Sequence, residues 1–174
     1  QFRVDESLRD GGAWTNSTDG WKYCYNDGYC ARSKYVKIDG NTYYFNGDAV
    51  MATGWVTFDA AWHWMTPSGR MATGWTKVDG SWYYLDPATG SMATGWANVD
   101  GSWYYLNGNG SMATGWTAVN GKWYYLTGNG AMAIGWVNDG GTWYYLDASG
   151  KMVTGWVSID GKRYHFAPSG AWLG

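Results

Sequence analysis

From residue 54 onward, apolar and polar positions come in short bursts divided by glycine-containing turns. Residues 91–110, SMATGWANVDGSWYYLNGNG, show the unit. A few mixed residues follow Gly95-Trp96, then Asp100-Gly101, then the aromatic run Trp103-Tyr104-Tyr105-Leu106, then a second turn, NGNG. Residues 111–130, SMATGWTAVNGKWYYLTGNG, nearly repeat it. Gly-Trp recurs at 54–55, 74–75, 95–96, 115–116, 135–136 and 155–156, and WYYL at 82–85, 103–106, 123–126 and 143–146. One interval is a residue longer than the rest. Its extra residue falls in the turn Pro87-Ala88-Thr89-Gly90, where an insertion costs little.

Aromatic and β-branched runs favour strands, and Asp-Gly or Asn-Gly between them favours hairpins. No segment keeps a 3.6-residue period. The pattern predicts an all-β fold, a solenoid or superhelix of stacked β-hairpins built from ~20-residue repeats. Strand alternation puts Trp103 and Tyr105 on one face and Tyr104 and Leu106 on the other. One face can fill the interior; the other stays aromatic and needs a reason. The expectation places Tyr83, Tyr104, Tyr124, Tyr144 and the leucines in the core.

The ends depart from the pattern. Residues 1–18 read as a linker or N-terminal cap, and 19–54 as degenerate repeats. In the latter, Lys34-Tyr35 replaces Gly-Trp and Thr42 replaces the strand Trp. Residues 55–174 form the regular array. At its end Arg163-Tyr164-His165-Phe166 replaces WYYL, and Trp172 takes the Met position. Atypical terminal repeats are expected in a stacked array. Cys24 and Cys30 flank the turn signal Asn26-Asp27-Gly28, so a disulfide is the favoured reading over two free thiols; no His or Cys cluster completes a metal site.

Composition sharpens the question. The 174 residues include 15 Trp and 15 Tyr against 4 Phe, with 27 Gly and a net charge of −2. That balance offers no basic footprint for nucleic acid, and no apolar run is long enough for a membrane span. The chain starts at Gln1, which reads as a processed or excised sequence, so the lack of a visible signal peptide says little. No GxSxG, HExxH or P-loop is present, and the recurrent Asp79, Asp100 and Asp160 sit in turns. His63 and His165 are isolated. No catalytic residue and no cofactor are expected.

The pattern GWxxxxGxWYYLxxxGxMATGW resembles the choline-binding repeats of Gram-positive surface proteins and cell-wall lysins, closely over 55–174 and loosely over 19–54. The resemblance implies choline sites between successive repeats, each of three aromatic side chains and often a Met. Two rings come from one repeat and one from the next. Carried over, the first set is Trp55, Trp62 and Tyr84. The second is Trp75, Trp82 and Tyr105, the third Trp96, Trp103 and Tyr125, and the fourth Trp116, Trp123 and Tyr145. A fifth uses Trp136 and Trp143, but its third position is His165, whose protonated form would repel a cation. A sixth would place Trp156 with Arg163 and is expected to be dead. Met71, Met92, Met112, Met132 and Met152 are candidates for the cage floors.

The chemistry suits the residues. A quaternary ammonium has no N–H to donate, so it is held by ring faces and by burial of its methyl groups, and Trp is the best ring. Three rings supply roughly 2–6 kcal/mol, about what millimolar binding needs. Several sites on one chain gain avidity against a polymer that displays many cholines. The expected partner is choline or phosphocholine on teichoic or lipoteichoic acid. The expected role is non-catalytic anchoring of a secreted or cell-surface protein to the wall. Two rivals remain: a glucan-binding repeat module, and an adhesin whose 1–54 region meets a host protein. Homodimerisation is also open.

Overall fold

The structure is a computed structural model and describes residues 9–174; the first eight residues of the expected 1–18 segment lie outside the described residues. Every described element is a strand of five residues, and the strands pair in sequence order into eight two-stranded antiparallel sheets. The first four hairpins are β1 (Ala13–Ser17) with β2 (Gly20–Cys24), β3 (Lys34–Ile38) with β4 (Asn41–Phe45), β5 (Gly54–Phe58) with β6 (Ala61–Met65), and β7 (Gly74–Val78) with β8 (Ser81–Leu85). The other four are β9 (Gly95–Val99) with β10 (Ser102–Leu106), β11 (Gly115–Val119) with β12 (Lys122–Leu126), β13 (Gly135–Asp139) with β14 (Thr142–Leu146), and β15 (Gly155–Ile159) with β16 (Lys162–Phe166).

The turns explain the registers. Asp100 and Gly101 both have positive φ, at 50° and 85°, the pair of angles that a two-residue type I′ turn demands. The expected turn-forming role of Asp79, Asp100 and Asp160 is what their backbones show, since each has a φ of 48–50°. With the turn set, Trp96 lies directly across from Tyr105, and Gly95 across from Leu106.

After each hairpin the chain closes a second turn and pairs once more with its own strand end. Leu106 bridges Met112, Leu126 bridges Met132, and Leu146 bridges Met152. The leucines are fully buried. In the first hairpin the same bridge is Cys24 to Cys30, and there the two sulfurs form a disulfide. The expected disulfide is therefore present, but it does not cross a hairpin of its own. It sits where Leu and Met sit in the later repeats.

Residues 13–18 are not linker: they are β1 and the start of its turn. The disulfide-bearing repeat thus begins earlier than residue 19. Trp14 packs edge-on to Tyr23, its partner across the ladder, which is why the segment pairs despite its polar composition.

The chain divides into two compact units. One runs to Val78 and includes Tyr83–Met92; the other comprises Asp79–Trp82 and Ala93–Gly174. Within the second unit, each hairpin is tied to the linker that follows the next one. Met132 N–H donates to the Trp103 carbonyl at 2.7 Å, Met152 to Trp123 at 2.8 Å, and Trp172 to Trp143 at 2.8 Å. Within the first unit, Met51 donates to Trp21 at 2.7 Å and Met92 to Trp62 at 2.8 Å.

Candidate functional site

Parity along the strands builds the site. Trp103 stands two residues before Tyr105, so both share the face that carries Trp96 on the neighbouring strand. Leu106 faces the interior. In the next hairpin Tyr124, on the face of Leu126, packs with Leu126 and Ala113 into a buried cluster that Trp96 and Met132 cover. Tyr124 reaches Trp96 with ring centroids 4.8 Å apart at 66°. The result is two indoles from one hairpin, with a phenol and a thioether from the next: Trp96, Trp103, Tyr124 and Met132. Trp103 keeps 45% of its surface exposed, although large apolar side chains on a monomer are normally covered.

The same unit recurs. Tyr83 packs on Trp55 at 4.9 Å, Tyr144 on Trp116 at 4.8 Å, and Tyr164 on Trp136 at 5.0 Å. Trp62, Trp123 and Trp143 complete these sets and are exposed like Trp103. Of the second expected set, Trp75 belongs to the first unit, and Trp82 and Tyr105 to the second. Met71 pairs through its backbone with Thr42, not with a tryptophan.

The expected cages take the last tyrosine of the next WYYL, but the ring that the next hairpin brings onto Trp55, Trp96 and Trp116 is the first. Tyr84, Tyr105, Tyr125 and Tyr145 sit instead against the Gly-Trp indoles of their own hairpins, Trp75, Trp96, Trp116 and Trp136, at 5.0–5.3 Å. The reason is alternation: the last tyrosine shares a face with its own strand Trp, whereas the first shares the face of the stacking leucine. Of the tyrosines expected as core, Tyr124 is buried, whereas Tyr83, Tyr104 and Tyr144 are half-buried; Tyr83, Tyr124 and Tyr144 each meet the Gly-Trp indole of the preceding hairpin.

At the fifth expected set the same alternation brings Tyr164 onto Trp136. His165 is not its third ring; it stacks on Trp156 at 4.3 Å and 4°. Trp136 faces Tyr164, Trp143 at 6.4 Å and Trp172 at 5.9 Å. Trp172 bridges Phe166 at the position where Met112, Met132 and Met152 bridge their leucines. At Trp156 the Arg163 guanidinium lies 5.2 Å from the ring centroid, so the chain's own cation holds that indole.

One set was missed in the sequence. Trp14, Trp21, Tyr43 and Met51, with Pro67 and Ser68, line a cavity of about 360 Å³. Trp14 lies 6.5 Å from Trp21 and 4.8 Å from Tyr43, close to the geometry around Trp136. The signal was available: Trp14 and Trp21 stand as far apart as Trp96 and Trp103. Ala13 before Trp14 and Lys22 after Trp21 hid it.

Between the second and third hairpins the corresponding place is filled. Phe58, where later repeats carry Val78, Val99, Val119, Asp139 and Ile159, stacks on His63 at 3.6 Å and 6° and on Tyr44 at 5.2 Å and 3°. Tyr35 closes on Phe58 at 5.1 Å. His63 is 2% exposed, and burial holds its pKa below the ordinary value against hydrogen bonds that would raise it. Its Nδ1 lies 3.1 Å from the Ala61 carbonyl, which suits a neutral ring with that nitrogen donating.

A carboxylate touches one of the Gly-Trp indoles. The indole N–H of Trp116 donates to Asp139 Oδ2 at 3.0 Å. Among the described residues no group of three or more His, Cys, Asp and Glu could hold a metal ion. The arrangement can take a soft, methylated cation against ring faces.

The comparisons agree with that chemistry. Residues 52–95, 93–135 and 133–173 match the choline-binding repeat, and residues 33–48 the putative cell wall binding repeat. Among curated proteins nothing matches. The chain is similar to choline binding protein F of Streptococcus pneumoniae, solved in the presence of a peptidoglycan analogue, with 43% identity and a TM-score of 0.81 over 88% of this chain and 56% of that one. CbpJ of the same organism gives 39% identity and a TM-score of 0.81 with the same coverage. The modular autolysin LytC of Streptococcus pneumoniae, in complex with a synthetic peptidoglycan ligand, gives 31% and 0.63 over 93% of this chain and 39% of that one. The chain thus spans little more than half the length of the first two. With three successive matches covering most of its length, the chain belongs to the family of choline-binding repeat proteins.

Proposed function

We propose that this chain binds choline displayed on teichoic or lipoteichoic acid and so anchors a secreted protein to a Gram-positive wall, without catalysis of its own. The observation that carries the reading is the recurrent set of one half-buried and one exposed indole met by a tyrosine of the next hairpin, as at Trp96, Trp103 and Tyr124. Five sets, each within one unit, are proposed as sites. They are built on Trp14 and Trp21, Trp55 and Trp62, Trp96 and Trp103, Trp116 and Trp123, and Trp136 and Trp143.

Each site alone is weak, because ring faces contribute on the order of 0.5–2 kcal/mol apiece. A polymer with many cholines engages several at once, and effective concentration then turns millimolar sites into firm attachment. The Met side chains add a polarisable floor. The filled place at Phe58 and the Arg163-covered Trp156 are proposed as non-binding positions.

Retention on a choline-displaying resin tests the reading. Elution by free choline, and not by sodium chloride at equal ionic strength or by soluble glucan, is the expected result. Passage through the choline resin, with retention on an immobilised glucan, would transfer the sites to carbohydrate.

A further inference from the structure

We infer that Asp139 gives the site built on Trp116 and Trp123 a formal negative charge, so that this site holds its cation by charge as well as by ring faces. The inference rests on the proposed cages. It concerns how one of them differs from the others.

Asp139 ends β13, in the hairpin that also supplies Tyr144 to Trp116. Its carboxylate accepts the Trp116 indole N–H at 3.0 Å. At the same strand end the other hairpins of the array carry Phe58, Val78, Val99, Val119 and Ile159, which are apolar. A carboxylate therefore meets a cage indole here, where the repeats otherwise place an apolar side chain.

Two effects follow from the contact. A cation on an indole face sits within about 6 Å of the ring centroid. A carboxylate bonded to that ring's nitrogen then lies well inside the Debye length of about 10 Å at 0.1 M salt. The N–H donated to an anion also leaves the indole richer in electron density, which strengthens the attraction of its face for a cation. Asp139 is exposed, so solvent screens the charge and the gain is modest. Affinity about threefold above that of the neighbouring cage is the expected size at low salt. The neighbouring cage at Trp96 and Trp103 has Val119 at this place and supplies the internal reference.

Site-resolved titration tests this. Indole N–H signals of the uniformly ¹⁵N-labelled chain are followed by NMR during addition of choline chloride, at constant ionic strengths of about 50 mM and about 500 mM. In the native chain the Trp116 and Trp123 signals should saturate at about threefold less choline than those of Trp96 and Trp103 at low salt, and at nearly equal choline at high salt. Asp139→Asn keeps an acceptor and removes the charge. Asp139→Val installs the side chain that other repeats tolerate. Both should abolish the difference at low salt while leaving the Trp96 and Trp103 midpoints unchanged. Equal midpoints and equal salt dependence in the native chain would overturn the inference and leave the cages standing. So would an Asp139→Asn chain that titrates like the native one. Indole signals that ignore choline altogether would overturn the cages and the inference together.

Discussion

Tyr124 meets Trp96 edge-on at 4.8 Å, although the two belong to successive hairpins. Tyr124 is 8% exposed and packs with Leu126, so one side chain both fills the core and meets a half-buried indole of the preceding hairpin. On the proposed function, Tyr124 couples folding to binding, and the exposed Trp103 separates them.

That separation can be measured. Trp103→Ala should remove one binding site and change stability by under about 1 kcal/mol, because the side chain is exposed. Tyr124→Ala should remove the same site and destabilise the chain by about 3 kcal/mol. Calorimetric site counts with choline, read beside urea midpoints, distinguish the two. A Trp103→Ala chain that unfolds would show the indoles to be structural.

Two glycines with the same φ predict different costs. Gly101 and Gly150 both have φ of 85°, but a Cβ on Gly101 meets nothing, whereas one on Gly150 comes within 2.3 Å of the Met132 sulfur. Gly101→Ala should cost about 1 kcal/mol, from backbone strain alone. Gly150→Ala should cost more, and by displacing Met132 it should also weaken choline binding at Trp96. Equal midpoints for the two variants would remove Met132 from the site floor.

His63 makes stability depend on pH. Its folded pKa lies below the unfolded value of about 6.5, because burial against Phe58 disfavours the charged ring. Above that pH both states are neutral and the histidine contributes no pH dependence. As pH falls below it the unfolded chain takes up a proton that the folded chain resists, so stability is lost down to the folded pKa. Urea midpoints should fall between pH 7.5 and 5.5, and His63→Tyr, the residue type that later repeats carry there, should flatten the slope. An unchanged slope would place the titration elsewhere.

The disulfide occupies a position that packing fills in other repeats. Reduction should destabilise the first unit by about 2 kcal/mol. Cys24→Leu with Cys30→Met, the pair found at Leu106 and Met112, should recover part of that loss. Thermal unfolding with and without reductant compares them. A double variant no more stable than the reduced chain would mean that the covalent link alone holds this bridge.

Much of this was legible in the sequence, because local signals fix local structure. Gly-Trp, the Asp-Gly turns and WYYL specify each hairpin and its register, and Leu106 fell on the buried face as alternation requires. What stayed hidden depends on how one hairpin rests on another. Whether Tyr124 or Tyr125 reaches Trp96 is set by stacking, and no spacing within a repeat encodes it. The set at Trp14 was masked by Ala13 and Lys22, and the filled place at Phe58 by the change of a single Val-type position. Cys24 and Cys30 looked like a hairpin of their own because their alignment with Leu and Met emerges only from the bridge they share.

The central claim, that the exposed indoles are choline sites, is tested most directly by intrinsic tryptophan fluorescence during titration with choline chloride, against sodium chloride at equal ionic strength. The account predicts a saturable change at roughly millimolar choline that is absent in the salt control. A response to choline no different from the response to sodium chloride would contradict it.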